Sequence, residues 1–300
     1  MEMQKLNGHS YFLRGGTNSG LYLYKDKFCL LVDPGLSPAR GRRMANDLNK
    51  ESIRTKYIYI THEHSDHYGA SDGVKDVFPG VTTIAPEKSK VYIENPDLFN
   101  AYVYGGNPNK VMESFFKNRG NAPIIDQTVT EGEIRLNDKK FMIYELAGHC
   151  PGQSGILTED KILYAGDSVF DESILSKYDF PFIYDIEAQK KTLEKIESID
   201  FDYIVLGHGP KALTKEEAKI TIELNKHCID KYLEQIREFS TTPVTREELL
   251  KYLIEYNELD LNYKEYHFYY ATLGSMITYL MDKDEMEFSL ESGKLFYYNK

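Results

Sequence analysis

Three observations predict an α/β fold with a small helical unit at its end. From Phe12 to about Pro210, short runs of β-branched and aromatic residues alternate with Gly, Asn and Asp turns and a few helical stretches. Four of those runs end in histidine or aspartate, which places polar side chains along one edge of a sheet architecture. After Pro210 the composition shifts toward long amphipathic helices. The 300 residues are enough to bury a sizeable core, and divide into a main unit, 1–240, and a small one, 241–300.

Gly20–Tyr24 and Phe28–Val32 are expected strands, the second closed by the turn Asp33-Pro34-Gly35. Tyr57–Ile60 is a third, because β-branched and aromatic side chains pack well on a pleated surface. Asp97–Ala122 interrupts the pattern with Gly105, Gly106 and Pro108, and reads as a lid over a site or as a helix-to-strand connection. Strand-like runs recur in "FMIYELAGH", "KILYAGD" and "DYIVLGH". Thr214 and Glu217 then have the spacing of a capping box, and Ile222, Ile229, Leu233 and Ile236 trace one helical face. Thr245 and Glu248 repeat the capping signal. Tyr266–Met281, rich in aromatic and aliphatic residues, fits a helix hidden in an interface, with His267 an interfacial residue. A hairpin around Glu291–Lys294 closes the chain, and helix, helix, hairpin is the layout of a small winged-helix unit.

A formal net charge of −11 opposes binding to a phosphate backbone, so a nucleic-acid partner is not expected. The one basic cluster, Arg40, Arg42 and Arg43, reads as a solvated helix start. Cys29, Cys150 and Cys228 show no paired spacing, which predicts free thiols and a cytoplasmic protein. The N-terminus lacks the build of a secretion signal, and no apolar run approaches the ~18 residues of a membrane helix. A homodimer through the C-terminal region is the expected assembly.

The chemistry concentrates in "HEHSDH", where His62, His64, Asp66 and His67 follow the run Tyr57–Ile60. His149, Asp167 and His208 stand at three further strand ends, each after a glycine that allows a tight exit. Residues i and i+2 of an extended segment face the same way, so His62 and His64 can grip one divalent metal ion, with His149 completing that site. Asp66 and His67 can grip a second with His208, and Asp167 remains as an anion able to bridge both. Such a pair would share a hydroxide near neutral pH. Zinc suits the histidines, while the carboxylates also accept iron or manganese.

The motif "HEHSDH", followed in order by "AGHCPGQSG", "YAGDSVF" and "LGHGP", resembles the metallo-β-lactamase fold superfamily, in particular its glyoxalase II-like hydrolases. The resemblance implies an αβ/βα sandwich with a dinuclear site at one edge. It also implies the same ligand assignment: His62, His64 and His149; Asp66, His67 and His208; Asp167 between them. Asp33 matches a family aspartate near the site. A hydrolase follows, in which the bridging hydroxide attacks an ester, thioester or lactone carbonyl and Asp66 orients it or receives its proton. Cys150 and Gln153 replace the threonine and second histidine usual in glutathione thioesterases, and the segment after "GDSVF" lacks their Gly-Cys-Gly-Arg type sequence. Lys177, Tyr178 and Tyr184 are the candidates for lining the pocket that takes the small-molecule substrate. The alternatives within the superfamily are a phosphodiesterase or ribonuclease and a mononuclear iron persulfide dioxygenase.

Overall fold

The computed structural model describes residues 3–116 and 121–300. One sheet comprises β1 (Gln4–Asn7), β2 (Ser10–Leu13), β3 (Ser19–Leu23), β4 (Phe28–Val32), β5 (Arg54–Tyr59), β6 (Thr82–Pro86) and β7 (Gln127–Val129), side by side in that order. A second contains β8 (Gly132–Leu136), β9 (Lys139–Glu145), β10 (Ser154–Thr158), β11 (Ile162–Gly166), β12 (Tyr203–Leu206) and β13 (Leu213–Thr214), also in chain order across the sheet. The helices are α1 (Pro38–Lys50), α2 (Ser65–Tyr68), α3 (Ser71–Val77), α4 (Glu87–Glu94), α5 (Asp97–Tyr104), α6 (Lys110–Phe116), α7 (Glu172–Lys177), α8 (Ile186–Ser198), α9 (Lys215–Phe239), α10 (Arg246–Tyr256) and α11 (Tyr263–Asp282). The strands expected at Gly20–Tyr24 and Tyr57–Ile60 thus lie one to three residues earlier, and Phe28–Val32 lies where expected.

Side-chain alternation buries both faces of each sheet. Tyr22, Leu30, Val32 and Tyr59 of the first sheet meet Ile143, Ile156, Tyr164 and Val205 of the second in one apolar layer. Their neighbours Leu21, Leu31 and Ile58 turn outward against Met44, Ala45 and Leu48 of α1 and Val74 of α3. On the far side of the second sheet, Leu163, Ala165, Ile204 and Leu206 pack on Leu193 and Ile196 of α8 and Ile222 and Ile229 of α9. The result is the αβ/βα sandwich that the sequence motifs imply.

Strand direction then places the polar loops. β4, β5 and β6 are mutually parallel, and β11 is parallel to β12. β9 points the same way as β11, because each is antiparallel to β10. The loops leaving β4, β5, β9, β11 and β12 therefore emerge at C-terminal strand ends, the usual location of a site in such sheets.

In the C-terminal part, α9 and α10 both begin with complete capping boxes, Thr214 with Glu217 and Thr245 with Glu248. β15 (Met286–Glu291) and β16 (Lys294–Asn299) form the expected hairpin. Ser292 and Gly293 turn it with φ of 51° and 78°, as a two-residue hairpin loop requires. A short strand with no clear sequence signal, β14 (Val244–Thr245), extends this sheet beside β16. Leu249, Leu253, Leu273, Ile277 and Met286 share one core with Phe180, Ile186 and Tyr232, so this end of the chain packs against the rest of it. The segment Asp97–Ala122, of which 117–120 lie outside the described residues, contributes α5 and α6, and both pack on α11. Asn109 Nδ2 donates to the Tyr263 hydroxyl at 2.8 Å across that contact.

Candidate metal centre

The seven side chains singled out in the sequence converge at the shared edge of the two large sheets. Asp167 is central: its Oδ2 lies 3.4 Å from His67 Nε2, 3.5 Å from His208 Nε2, 3.8 Å from His149 Nε2 and 4.0 Å from His62 Nε2. Glycines make that approach possible. Gly166 exits β11 with φ of 55°, and a Cβ on Gly207 would overlap Asp167 Oδ1.

Each imidazole is tied to the scaffold by the nitrogen it does not turn inward. His67 Nδ1 donates to Asp33 Oδ2 at 2.8 Å. Thr61 spends its hydroxyl proton on the same carboxylate oxygen at 2.7 Å, so it accepts from His62 Nδ1 at 3.0 Å. His149 Nδ1 donates to the Phe182 carbonyl at 2.9 Å, and His208 Nδ1 to the Gly16 carbonyl at 2.7 Å. His64 is reversed: Nδ1 faces His149 Nε2 at 3.0 Å, and Nε2 lies 3.3 Å from Cys150 Sγ. These bonds select tautomers whose lone pairs point into the centre. His62 Nε2 and His67 Nε2 are buried with no hydrogen-bond partner, a costly state unless a cation takes the lone pair. The donor set therefore fits a divalent metal ion.

The charges agree with this. Burial and the neighbouring His67 and His64 hold His62 well below the usual imidazolium range, and burial together with His149 lowers His64 to about 3. Burial opposes the charge on His67 and His208 as well, but Asp167 and Asp66 outweigh it and raise them to about 10 and about 12. Burial would raise Asp167, yet His208 and His67 keep its carboxyl well below its ordinary value. Two carboxylates, the buried Asp167 and the half-exposed Asp66, thus draw positive charge into a pocket of imidazoles, and a metal ion would supply it in place of protons. Ligand atoms within 4.8 Å of one another define the groups His62, His67, Asp167 and Asp66, His67, His208, and a third joins Cys150 to His62, His64 and His149. Within that third group the thiol stands beside Nε2 of His64, whereas His149 faces Nδ1, so Cys150 supports the ring from behind.

A cavity of about 470 Å³ opens above the centre. Lys177 and Tyr178 line it, together with Phe170, Phe182 and, from α11, Lys264 and Phe268. Tyr184 does not: its N–H bonds the Gly148 carbonyl at 2.9 Å, its ring lies 5.5 Å from that of Tyr102, and the residue borders a separate cavity between the start of α8 and α11. The sequence reading missed Thr61 and Thr17, the latter donating to Asp66 Oδ2 at 2.9 Å, and the aromatic residues Phe99, Phe170, Phe182 and Phe268. A hydroxyl directly before "HEH" could have flagged Thr61, but the phenylalanines carry no mark that separates them from core residues.

A family model described as the metallo-beta-lactamase superfamily matches residues 13–208. The chain belongs to this superfamily. A curated relative, the hydroxyacylglutathione hydrolase GloC of Haemophilus influenzae, is 29% identical over 213 residues, covering 69% of this chain and 92% of its own length. The probable metallo-hydrolase YqgX of Bacillus subtilis is 24% identical over 212 residues, covering 65% and 88%. Among solved structures, a beta-lactamase domain protein from Burkholderia ambifaria superposes with a TM-score of 0.75 at 14% identity, spanning 100% of this chain and 94% of that one. A metallo-beta-lactamase family protein from Thermus thermophilus gives 0.71 at 16% identity, spanning 97% and 99%. These two share the fold over 97% or more of the chain, which extends into the C-terminal part beyond the superfamily match. The superfamily and its curated relatives make the protein a hydrolase.

Proposed function

We propose that this hydrolase is dinuclear and acts on an ester or thioester carbonyl. The observation that carries the reading is the convergence of seven side chains, five of them imidazoles whose outward nitrogens are engaged by their surroundings and whose inward nitrogens face the centre. His62, His64 and His149 would hold one cation and Asp66, His67 and His208 the other, with Asp167 between them; zinc suits the histidine majority. Two cations so held would polarise a carbonyl oxygen and bring the pKa of water toward neutrality. Asp66, held by Thr17, orients the attacking water and takes its proton. The acyl C–S or C–O bond then breaks, and the proton leaves with the thiol or alcohol.

The name of the relative from Haemophilus influenzae favours a thioester. Cys150, Gln153 and the segment 171–187 depart from the pattern of the glutathione thioesterases, so glutathione itself is not carried over. In this reading residues 1–240 form the catalytic unit, and 241–300 close its cavity through α11. Elemental analysis joined to a hydrolysis panel tests it, with S-lactoylglutathione, simple thioesters, lactones, bis-p-nitrophenyl phosphate and single-stranded RNA. About two metal ions per chain and carbonyl turnover are expected. A single tightly held ion in metal-replete protein without hydrolysis overturns the reading in favour of oxidative chemistry, and cleavage of the phosphodiesters alone would make the protein a nuclease.

A further inference from the structure

The surroundings of the centre are lopsided. On the side of His64 and His149 the neighbours are aromatic: Phe99 and Phe182 lie 4.6 Å and 6.1 Å from the His64 ring, and Phe170 and Phe182 lie 5.4 Å and 5.8 Å from that of His149. Phe268 of α11 continues this wall, 5.1 Å from Phe182. On the other side Asp66 and His208 keep 34% and 27% of their side-chain surface exposed, beside the Thr17 hydroxyl and the Gly16 carbonyl. The polar side is thus open to solvent, while the aromatic side offers an apolar surface.

The aromatic wall ends in cations. Lys264 Nζ lies 5.5 Å from the centre of the Phe268 ring, and Lys177 Nζ lies 4.8 Å from that of Tyr178. Glu265 pairs with Lys264 at 2.9 Å, which leaves the two lysines one positive charge in excess. A cavity of about 470 Å³ falls within the roughly 300–1,000 Å³ of small-molecule sites, so it admits more than a two- or three-carbon acyl group.

We propose that the substrate carries, next to the scissile carbonyl, an apolar body of medium chain length or an aryl group that ends in an anion, with the body against Phe170, Phe182 and Phe268 and the anion at Lys177 and Lys264. This rests on the hydrolase reading above. The body can belong to the acyl half or to the thiol or alcohol half, and the two are separable by experiment.

The metal-loaded full chain is assayed with two series. In the first, acetyl, butanoyl, hexanoyl and adipoyl groups are carried on one small neutral thiol. In the second, acetyl is carried on thiols of two to six carbons, with and without a terminal carboxylate. In one series kcat/KM should rise about fourfold per added methylene, and further with the terminal charge. That series identifies the half that lies on the wall. Phe268→Ala should flatten the gradient, and Lys177→Ala, at an exposed position that cannot disrupt the core, should remove the salt-sensitive advantage of the terminal charge while the methylene gradient remains. Binding is measured in parallel by calorimetry with succinate, adipate and suberate, whose affinity should rise with length and lose that rise in Phe268→Ala. Turnover without a gradient in either series, with equal dicarboxylate affinities, overturns this proposal and leaves the hydrolase reading standing. Absence of all carbonyl turnover overturns the hydrolase reading, and the calorimetric series still decides whether the wall selects an apolar, anion-terminated ligand.

Discussion

Asp33 is the residue on which the geometry of the centre turns. Its φ of 48° lies in the left-handed region that Asp tolerates better than most residues, and this aims the carboxylate under the loop after β5. There it accepts from Thr61 N at 2.8 Å, Thr61 Oγ1 at 2.7 Å and His67 Nδ1 at 2.8 Å, so it sets two imidazoles, one directly and one through the threonine. Asp33→Ala should therefore weaken metal binding by about 10–100-fold, as measured by competition with a chromophoric chelator, and an unchanged affinity would show that packing alone holds the rings. Asp167→Asn should remain folded by circular dichroism yet lose at least ~100-fold in turnover, because a neutral amide no longer offsets the positive charge that the centre is built to attract. Cys150→Ser should be nearly silent by comparison, since a hydroxyl still meets His64 Nε2. A dead serine variant beside an active asparagine variant would refute the roles given to both.

At the scale of elements, the site depends on strand ends that stop in register and on helices that start where their caps say. The capping boxes at Thr214 and Thr245 were legible because a cap is a local signal of four consecutive residues. Thr245→Ala should cost about 1 kcal/mol, read as a lower urea midpoint at unchanged slope, and because α10 packs on α11 the loss should register in global unfolding. β14 escaped notice for the opposite reason: a two-residue strand has no periodicity, and it exists because β16 offers a free edge. The segment around α5 serves as the connection that its sequence allowed, since it links β6 to β7, and it also places Phe99 against His64.

The molecule as a whole is bound together by the core that runs from the second sheet through α8 and α9 into α10 and α11. A chain ending near Ser240 would expose the faces that bury Leu249, Leu253, Leu273, Ile277 and Leu280, and would remove Phe268 and Lys264 from the cavity. Such a truncation should aggregate or lose its cooperative thermal transition, whereas a soluble, cooperative and active product would show the C-terminal part to be an independent appendage. The full chain, with a net charge of −11, should show no salt-sensitive binding of RNA or duplex DNA in the micromolar range. Among the described residues no helix is long and apolar enough to cross a membrane.

The sequence alone determined the fold class, the seven converging side chains and Asp33, because each stands where a β-like run stops, and His149, Asp167 and His208 do so directly after a glycine. The tertiary structure decided which nitrogen of each ring faces inward, since that depends on Thr61, Asp33, Cys150 and two carbonyls, those of Gly16 and Phe182, brought together from distant strands. It also decided the cavity walls, where Phe182 meets Phe268 across 86 positions of chain. A phenylalanine that lines a cavity and one that fills a core have the same hydrophobicity and the same periodicity, and only the packing of remote elements separates them. For the same reason Tyr184, equally eligible in sequence, lies outside the site, where the N–H groups of Tyr184 and Asp185 both bond the Gly148 carbonyl.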